Sequence, residues 1–280
     1  MREDALEREP TVDLEAYLRR IGHSGSREPT LETLRTVHAL HPQAIPFENL
    51  DPYLGRAVPL DLASLERKLV REGRGGWCFE HNLLFAAVLR SLGFRVTGLA
   101  ARVVWNAPAG AVRPRGHMLL RIDMAGEPYV ADVGFGGLTL TAPLRLVPGT
   151  EQPTPHEPFR LIEDAGMFVL QALVRGEWRA LYRFDLQPQL PPDYEVASWY
   201  LSTHPASHFV QGLMVARVLP GRRLALANRR LSVHRLGGTT EHHDLASVTE
   251  LRRTLEEQFG LRVPAGEAVD SRLERLFTAA

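Results

Sequence analysis

The sequence predicts an α+β protein in which a helical first part is followed by a strand-rich middle part and a mixed final part. In about the first ninety residues, apolar side chains recur with the 3.6-residue period of an α-helix. From Phe94 onward the pattern changes to short apolar runs separated by Gly, Pro and Asp, which is typical of β-strands. In the last third, candidate helices and a candidate hairpin alternate, so this part is mixed.

Three helices are predicted in the first part. The first begins near Thr30, and its apolar stripe consists of Leu31, Leu34, Val37 and Leu40. The second begins after Asp61, a favourable N-cap, and ends at the glycine-rich stretch 73–76. The third begins at Cys78 and ends at Gly93, because glycine commonly occupies the left-handed position that follows a helix.

The middle part is predicted to contain a series of short strands. They span residues 96–105, 118–122, 129–133, 168–174 and 178–184. A hairpin loop is predicted at 175–177, and surface loops are predicted for the proline-rich stretches 106–116, 143–158 and 187–192. In the final part we expect a helix over 193–202, a hairpin across Pro220-Gly221 and a helix that begins with a capping box at Ser247.

Composition and charge exclude several classes of protein. Lys+Arg and Asp+Glu both number 33, and the resulting zero net charge argues against a nucleic-acid-binding protein, which needs a basic face. The longest apolar run, 83–89, is far shorter than the ~20 residues that span a membrane, and the N-terminal residues lack the apolar core of a signal peptide. A single cysteine permits no internal disulfide and fits a reducing compartment, so we expect a cytoplasmic location.

The stretch 75–82, with the sequence GGWCFEHN, is the most informative part of the chain. Its two glycines allow a sharp turn directly before a helix and leave Cys78 at the helix N-terminus. The free N–H groups and the positive end of the helix dipole favour an anion there, such as a thiolate. A lone cysteine is more often inert packing, so it is the position of Cys78 that predicts a nucleophile.

A cysteine nucleophile needs a base, and the base needs an orienting partner. The runs that contain His117 and Asp132 flank a predicted turn over 123–126. In a hairpin centred between residues 124 and 125, the two side chains face each other with Cβ atoms ~4.5–5.5 Å apart, and a register shifted by one or two residues is the alternative. The carboxylate would then accept a hydrogen bond from the ring and stabilise the imidazolium. We therefore predict a triad of Cys78, His117 and Asp132.

The other candidate residues give weaker signals. His81, one turn after the cysteine, suits a structural or capping role better than that of a base. Neighbouring imidazoles on a strand point to opposite faces, so His242 and His243 predict no metal site, and no Cys/His cluster has zinc-ligand spacing. Phe47 and Phe135 could line an apolar pocket for an aromatic substrate, although scattered aromatic residues more often belong to the core.

Four segments resemble those of the arylamine N-acetyltransferase family. They are 46–50 (PFENL), 74–82 (RGGWCFEHN), 132–136 (DVGFG) and 202–209 (STHPASHF). They occur in the order found in the family, and the chain length also suits it. The resemblance implies ping-pong transfer of an acetyl group from acetyl-CoA, as co-substrate, to an arylamine, arylhydrazine or N-hydroxyarylamine.

The resemblance also implies a fold and a set of site residues. The fold would have an N-terminal helical bundle over 1–92, a central β-barrel-like domain over 93–200 and a C-terminal α/β lid over 201–280, with a cysteine-protease-like triad. Cys78, His117 and Asp132 match the family's triad. The positions that match those around the acceptor and the CoA pantetheine are Phe47, Val103, Phe135 and Phe209. No metal, nucleic-acid or membrane partner is expected, and the protein would be a monomer or a homodimer.

Three other functions fit the same residues. An amide synthase that closes macrolactams would share the triad but accept a polyketide bound to a carrier protein. A thiol hydrolase or transglutaminase-like enzyme uses the same order of Cys, His and Asp. A non-catalytic binding protein of this fold is the third alternative, and the intact triad argues against it.

Overall fold

The computed structural model describes residues 11–108, 110–124 and 126–278. Within them the helices are α1 (Leu14–Ile21), α2 (Leu31–Ala44), α3 (Leu50–Tyr53), α4 (Leu62–Leu65), α5 (Cys78–Ser91), α6 (Pro191–Thr203), α7 (His208–Gln211), α8 (Val248–Glu257) and α9 (Glu267–Thr278). The strands are β1 (Phe47–Glu48), β2 (Arg95–Val103), β3 (His117–Met124), β4 (Glu127–Ala131), β5 (Leu144–Arg145), β6 (Glu151–Gln152), β7 (Phe159–Asp164), β8 (Met167–Val174), β9 (Glu177–Phe184), β10 (Met214–Leu219), β11 (Arg222–Ala227), β12 (Arg230–Arg235) and β13 (Thr240–Asp244). A π-helical stretch, Glu66–Arg71, continues α4. None of these helices combines the length and the apolar character that crossing a membrane requires.

The three predicted N-terminal helices begin where the sequence indicates, and α5 ends before the predicted glycine. Thr30 caps α2 by accepting a hydrogen bond from the Thr33 N–H (3.2 Å), and Asp61 caps α4 by accepting one from the Ser64 N–H (2.9 Å). Gly93 follows α5 with a φ of +88°, a conformation in which glycine has no steric penalty.

Helix α1 is an addition to the predicted helices. Asp13 caps it by accepting a hydrogen bond from the Ala16 N–H (3.0 Å). Its buried side chains Tyr17, Leu18 and Ile21 pack into the same core as those of α2 and α5. With 8 residues, α1 is shorter than the window of 11–18 residues in which a helical period is recognised.

The middle part forms an eight-stranded antiparallel sheet in the order β5-β4-β3-β2-β9-β8-β7-β6, and this sheet is barrel-like, as predicted. A loop of two residues, Arg175 and Gly176, joins β8 to β9, and both have a positive φ; the predicted loop also included Glu177, which begins β9. Strand β7 was not predicted. The prediction of a surface loop over 143–158 is wrong at β5 and β6, because each has only two residues and pairs at one end of the sheet, where no sequence period can reveal it.

A second antiparallel sheet has the order β1-β10-β11-β12-β13. The predicted hairpin across Pro220-Gly221 joins β10 to β11, and Ser247 caps α8 by accepting a hydrogen bond from the Glu250 N–H (3.2 Å). Strands β12 and β13 were not predicted. All side chains of β13 are polar and most of them are exposed, so this strand shows no apolar alternation. In β12, Leu231 and Val233 alternate with polar residues and pack into a hydrophobic core, a signal that the sequence prediction missed. Strand β1 belongs to the proposed first domain but pairs with β10 of the third, and the division at 92 and 200 stays a prediction.

Candidate active site

Cys78 is the first residue of α5, as predicted. The glycines before it are required by the close approach of neighbouring atoms. A Cβ atom at Gly75 would lie 2.0 Å from the Pro46 carbonyl oxygen, and one at Gly76 would lie 2.7 Å from Oε2 of Glu80. Neither glycine has a positive φ, so space rather than backbone conformation selects them. The thiol therefore lies at the N-terminus of a 14-residue helix, whose dipole favours a thiolate.

A buried cluster of charged side chains supports the start of α5. Its members are Glu48, Asp51, Lys68, Arg74 and Glu80. Glu80 accepts a hydrogen bond from the N–H of the N-cap residue (3.1 Å) and another from Lys68 Nζ (2.7 Å). Lys68 also pairs with Asp51 (2.7 Å), which in turn contacts Arg74 (3.2 Å). Burial acts to lower the pKa of Lys68, but the surrounding carboxylates outweigh burial and raise it.

His117 and Asp132 are in direct contact on the β3–β4 hairpin. The buried His117 Nε2 donates a hydrogen bond to Asp132 Oδ2 at 2.7 Å. The register differs from the predicted one by two residues, because Leu120 pairs with Ala131 and the hairpin is centred between residues 125 and 126. The prediction that the two side chains lie directly opposite is therefore wrong. They are diagonal neighbours, and a shift of two residues keeps both on the same face of the hairpin.

The electrostatics of this pair favour its charged form. Burial alone would lower the pKa of His117, but the charge and hydrogen bond of Asp132 and a hydrogen bond to Cys78 raise it to about 10. Burial would raise the pKa of Asp132, but the charge of the imidazolium and its hydrogen bonds lower it. At neutral pH the site therefore stabilises an imidazolium between a carboxylate and the sulfur of Cys78.

Asp132 is oriented by hydrogen bonds to its side chain and to its backbone. Oδ1 accepts hydrogen bonds from Asn82 Nδ2 (3.0 Å) and from the Gly134 N–H (2.9 Å). The Asp132 N–H donates to His38 Nε2 (3.2 Å), and its carbonyl oxygen accepts from the Thr139 hydroxyl (3.2 Å). These contacts direct the other carboxylate oxygen, Oδ2, at the imidazole.

A chain of buried hydrogen bonds lies behind the nucleophile. His81 Nε2 contacts the Pro46 carbonyl oxygen (3.2 Å), which can only accept, so Nε2 carries the proton and Nδ1 accepts. His41 Nε2 then donates to His81 Nδ1 (2.8 Å), and the Tyr17 hydroxyl donates to His41 Nδ1 (2.8 Å). Burial lowers the pKa of His81 to about 4 and that of His41 well below its ordinary value, so both rings are neutral. His81 therefore has the structural environment predicted for it.

A cleft with a volume of about 1560 Å³ reaches the triad. Cys78 and His117 line it, although only 4% and 3% of their surfaces are exposed. The Cys78 sulfur lies 3.8 Å from the Gly116 carbonyl oxygen. Because Cys78 lines the cleft, a substrate can reach the sulfur from solvent.

The structure brings all four predicted substrate-contacting residues to this cleft. They are Phe47, Val103, Phe135 and Phe209. Phe135 packs edge-on against His117, with ring centroids 5.2 Å apart, and the rings of Phe47 and Phe209 are 6.3 Å apart. Val103 is the last residue of β2. The contacts of these side chains with substrates stay predictions.

No group of three or more His, Cys, Asp or Glu side chains in the described part of the chain could hold a metal ion. The two adjacent histidines of β13 make separate hydrogen bonds. His242 contacts the Ser232 hydroxyl and His243 contacts Glu250, each at 2.9 Å.

Comparison with known proteins places the chain in a family. A family model described as N-acetyltransferase matches residues 30–268. An arylamine N-acetyltransferase of Mycobacterium bovis is 48% identical over 274 residues, which cover 95% of this chain and 96% of that protein. The chain belongs to the arylamine N-acetyltransferase family.

Two further relatives extend the comparison. The arylamine N-acetyltransferase / N-hydroxyarylamine O-acetyltransferase of Salmonella typhimurium is 42% identical over 254 residues, or 90% of each chain. The structure of Mycobacterium marinum arylamine N-acetyltransferase in complex with CoA has a TM-score of 0.91 and 45% identity, covering 94% of this chain and 99% of that one. The predicted family, fold and acyltransferase class are therefore confirmed.

Some residues that hold the site of this N-acetyltransferase were not predicted. Asn82 could have been found, because it lies four residues after Cys78 and so on the same side of the helix. His38 and Thr139 give no such signal. His38 reaches Asp132 from another helix, and Thr139 contacts the Asp132 backbone by closing a loop.

Proposed function

We propose that this N-acetyltransferase moves an acetyl group from acetyl-CoA to arylamines, arylhydrazines or N-hydroxyarylamines through an acetyl-Cys78 intermediate. The observation that carries the proposal is the buried contact of 2.7 Å between His117 Nε2 and Asp132 Oδ2, beside the only cysteine of the chain. The names of the relatives support arylamines and N-hydroxyarylamines as acceptors, and the CoA complex of the M. marinum protein supports the donor.

In the first half-reaction, the Cys78 thiolate attacks the carbonyl carbon of the acetyl thioester. A bond forms between Sγ and this carbon, and the bond from the carbon to the CoA sulfur then breaks. The leaving CoA thiolate takes the proton of the His117 imidazolium. Backbone N–H groups at the start of α5, including that of Cys78, stabilise the oxyanion of the tetrahedral intermediate.

In the second half-reaction, the acceptor nitrogen attacks acetyl-Cys78. Neutral His117 takes a proton from this nitrogen, the bond from carbon to Sγ breaks, and the thiolate–imidazolium pair is restored. Aromatic amines suit this step because they are neutral at pH 7 and keep a free lone pair. The apolar rings of Phe47, Phe135 and Phe209 along the cleft favour an aromatic acceptor.

Intact-protein mass spectrometry tests the intermediate directly. After incubation with acetyl-CoA alone, we expect the mass of one acetyl group on Cys78, and addition of a simple arylamine should remove it with formation of the N-acetyl product. Cys78→Ala should give neither adduct nor product. Product formation by that variant, or loss of the adduct to water at the same rate without an amine, would reject acetyl transfer.

Other features of the proposal stay predictions. We expect small-molecule partners only, a cytoplasmic location and a monomeric or homodimeric state. We also keep the division into a helical bundle over 1–92, a barrel-like domain over 93–200 and a lid over 201–280.

A further inference from the structure

Arg223, on β11, is a buried charged side chain that the acetyl-transfer steps do not use. Its side chain is only 2% exposed. Nη2 lies 2.7 Å from Oε2 of Glu157, and Nε donates a hydrogen bond to the same carboxylate oxygen at 2.9 Å. This pairing compensates the charge of the buried guanidinium. It uses only some of the N–H groups of the guanidinium.

The third nitrogen of Arg223 contacts the loop that follows Asp132, which we call the aspartate segment (residues 132–139). Nη1 donates hydrogen bonds to the carbonyl oxygens of Thr139 (3.0 Å) and Gly137 (3.4 Å). Arg223 belongs to the five-stranded sheet, whereas the aspartate segment continues from β4 of the eight-stranded sheet. The guanidinium therefore links the two sheets at the loop that carries the triad carboxylate.

Thr139 connects this link to the triad. Its hydroxyl donates to the Asp132 carbonyl oxygen and accepts from the Phe135 N–H, both at 3.2 Å. Asp132 holds one nitrogen of His117, and the ring of Phe135 packs against the same imidazole. Two of the groups that contact His117 thus lie on the segment that Arg223 holds, whereas a third, Tyr182, packs against the imidazole from β9.

We propose that Arg223 is a positioning residue that fixes the aspartate segment from the opposite sheet and thereby holds Asp132 and Phe135 against His117. This inference rests on the proposed function, since it concerns the same triad. The alternative is that Arg223 and Glu157 form an ion pair that stabilises the fold without acting on the triad.

Three variants separate these two roles. Arg223→Met removes all donors and leaves Glu157, whose side chain is 19% exposed, without its partner. Arg223→Met/Glu157→Gln removes both charges, so the stability cost of an unpaired carboxylate is relieved while the donors to Thr139 stay absent. Arg223→Lys keeps a positive charge for Glu157, but a single ammonium cannot reproduce the guanidinium fork that contacts both partners. Arg252→Met, which breaks an ion pair with Asp270 between α8 and α9, is the matched control.

The readout is the rate of alkylation of Cys78 by iodoacetamide as a function of pH, together with kcat, KM and the thermal unfolding midpoint. Cys78 is the only cysteine, so alkylation reports on this thiol alone. It requires neither acetyl-CoA nor an amine, so the positioning role can fail independently of the proposed reaction. We expect the wild type and Arg252→Met to have the same alkylation profile.

For the double variant and Arg223→Lys, we expect an unfolding midpoint close to that of the wild type. Their kcat/KM should fall about 10- to 100-fold, and their alkylation at neutral pH should be slower than that of the wild type. Wild-type alkylation profiles in Arg223→Lys or in the double variant would overturn the proposal and leave a structural ion pair. A rise in KM for acetyl-CoA with an unchanged alkylation profile would also overturn it, because Arg223 would then contact the co-substrate.

Discussion

Replacement of Asp132 by asparagine tests the triad sharply, because the structure determines which way the new side chain faces. Oδ1 of Asp132 accepts from two donors, Asn82 Nδ2 and the Gly134 N–H. An asparagine must place its oxygen there, so its NH₂ group takes the position of Oδ2 beside His117. This group only donates, so His117 Nε2 must accept and the ring proton moves to Nδ1. The nitrogen available to Cys78 is then protonated and cannot take the thiol proton.

The pKa of His117 indicates how large the loss should be. It rises from the ordinary 6.5 to about 10, and Asp132 is the main cause of the rise because burial acts in the opposite direction. At about 1.4 kcal/mol per pH unit, this difference corresponds to about 5 kcal/mol in favour of the imidazolium. Loss of most of this stabilisation of the imidazolium should lower the rate constant of acetyl transfer about 10³- to 10⁴-fold. The same substitution in a serine-protease triad costs about 10⁴-fold.

The assay combines kcat/KM for a simple arylamine with the pH dependence of Cys78 alkylation. Asp132→Asn should lose about three to four orders of magnitude in kcat/KM and should be alkylated more slowly than the wild type at neutral pH. Asp123→Asn is the matched control, because Asp123 lies on the same hairpin, pairs with Arg121 and is 40% exposed. An Asp132→Asn enzyme within tenfold of the wild type, or with an unchanged alkylation profile, would refute the triad reasoning.

Two further predictions concern stability. Gly134→Ala should lower the unfolding midpoint strongly, because the new Cβ atom would lie 2.8 Å from Cα of Cys78. Gly137→Ala is the control and should leave the midpoint unchanged, because its Cβ atom would meet nothing within 4 Å. Equal midpoints for the two variants would contradict this packing. The unfolding free energy should fall as the pH drops from 6.5 to 4, because burial lowers the pKa values of His38 and His81 to about 4 and the unfolded chain binds protons first. Each of these histidines should contribute about 3 kcal/mol, and urea unfolding that is independent of pH over this range would rule the effect out.

The features that the sequence predicts correctly depend on short-range contacts. Thr30, Asp61 and Ser247 each cap a helix by accepting from an N–H three residues later. Such contacts need no information about the rest of the chain. The strands β5 and β6 were missed because two residues contain no period, and β13 because all of its side chains are polar. Strand β12 was missed although Leu231 and Val233 alternate with polar residues.

The triad was predicted correctly in part. The contact between His117 and Asp132 was predicted correctly from an incorrect register, because a shift of two residues leaves both side chains on one face. Asn82 could have been predicted from its position on α5, but the other groups that hold Asp132 could not. His38 precedes Asp132 by 94 residues in the chain, and Arg223 acts from the other sheet through Thr139.

The start of α5 explains why a short sequence around one cysteine predicts function so well. Successive residues of an α-helix point about 100° apart, so neighbours along the chain reach different surroundings. Cys78 lines the cleft, Glu80 joins the buried charge cluster, His81 joins the neutral histidine chain, and Asn82 holds Asp132. A substitution at Glu80, His81 or Asn82 would therefore change the reactivity of the thiol without touching a substrate. Glu80, His81 and Asn82 each bind the start of α5 to a different part of the protein. Together they hold Cys78 in the position of a nucleophile.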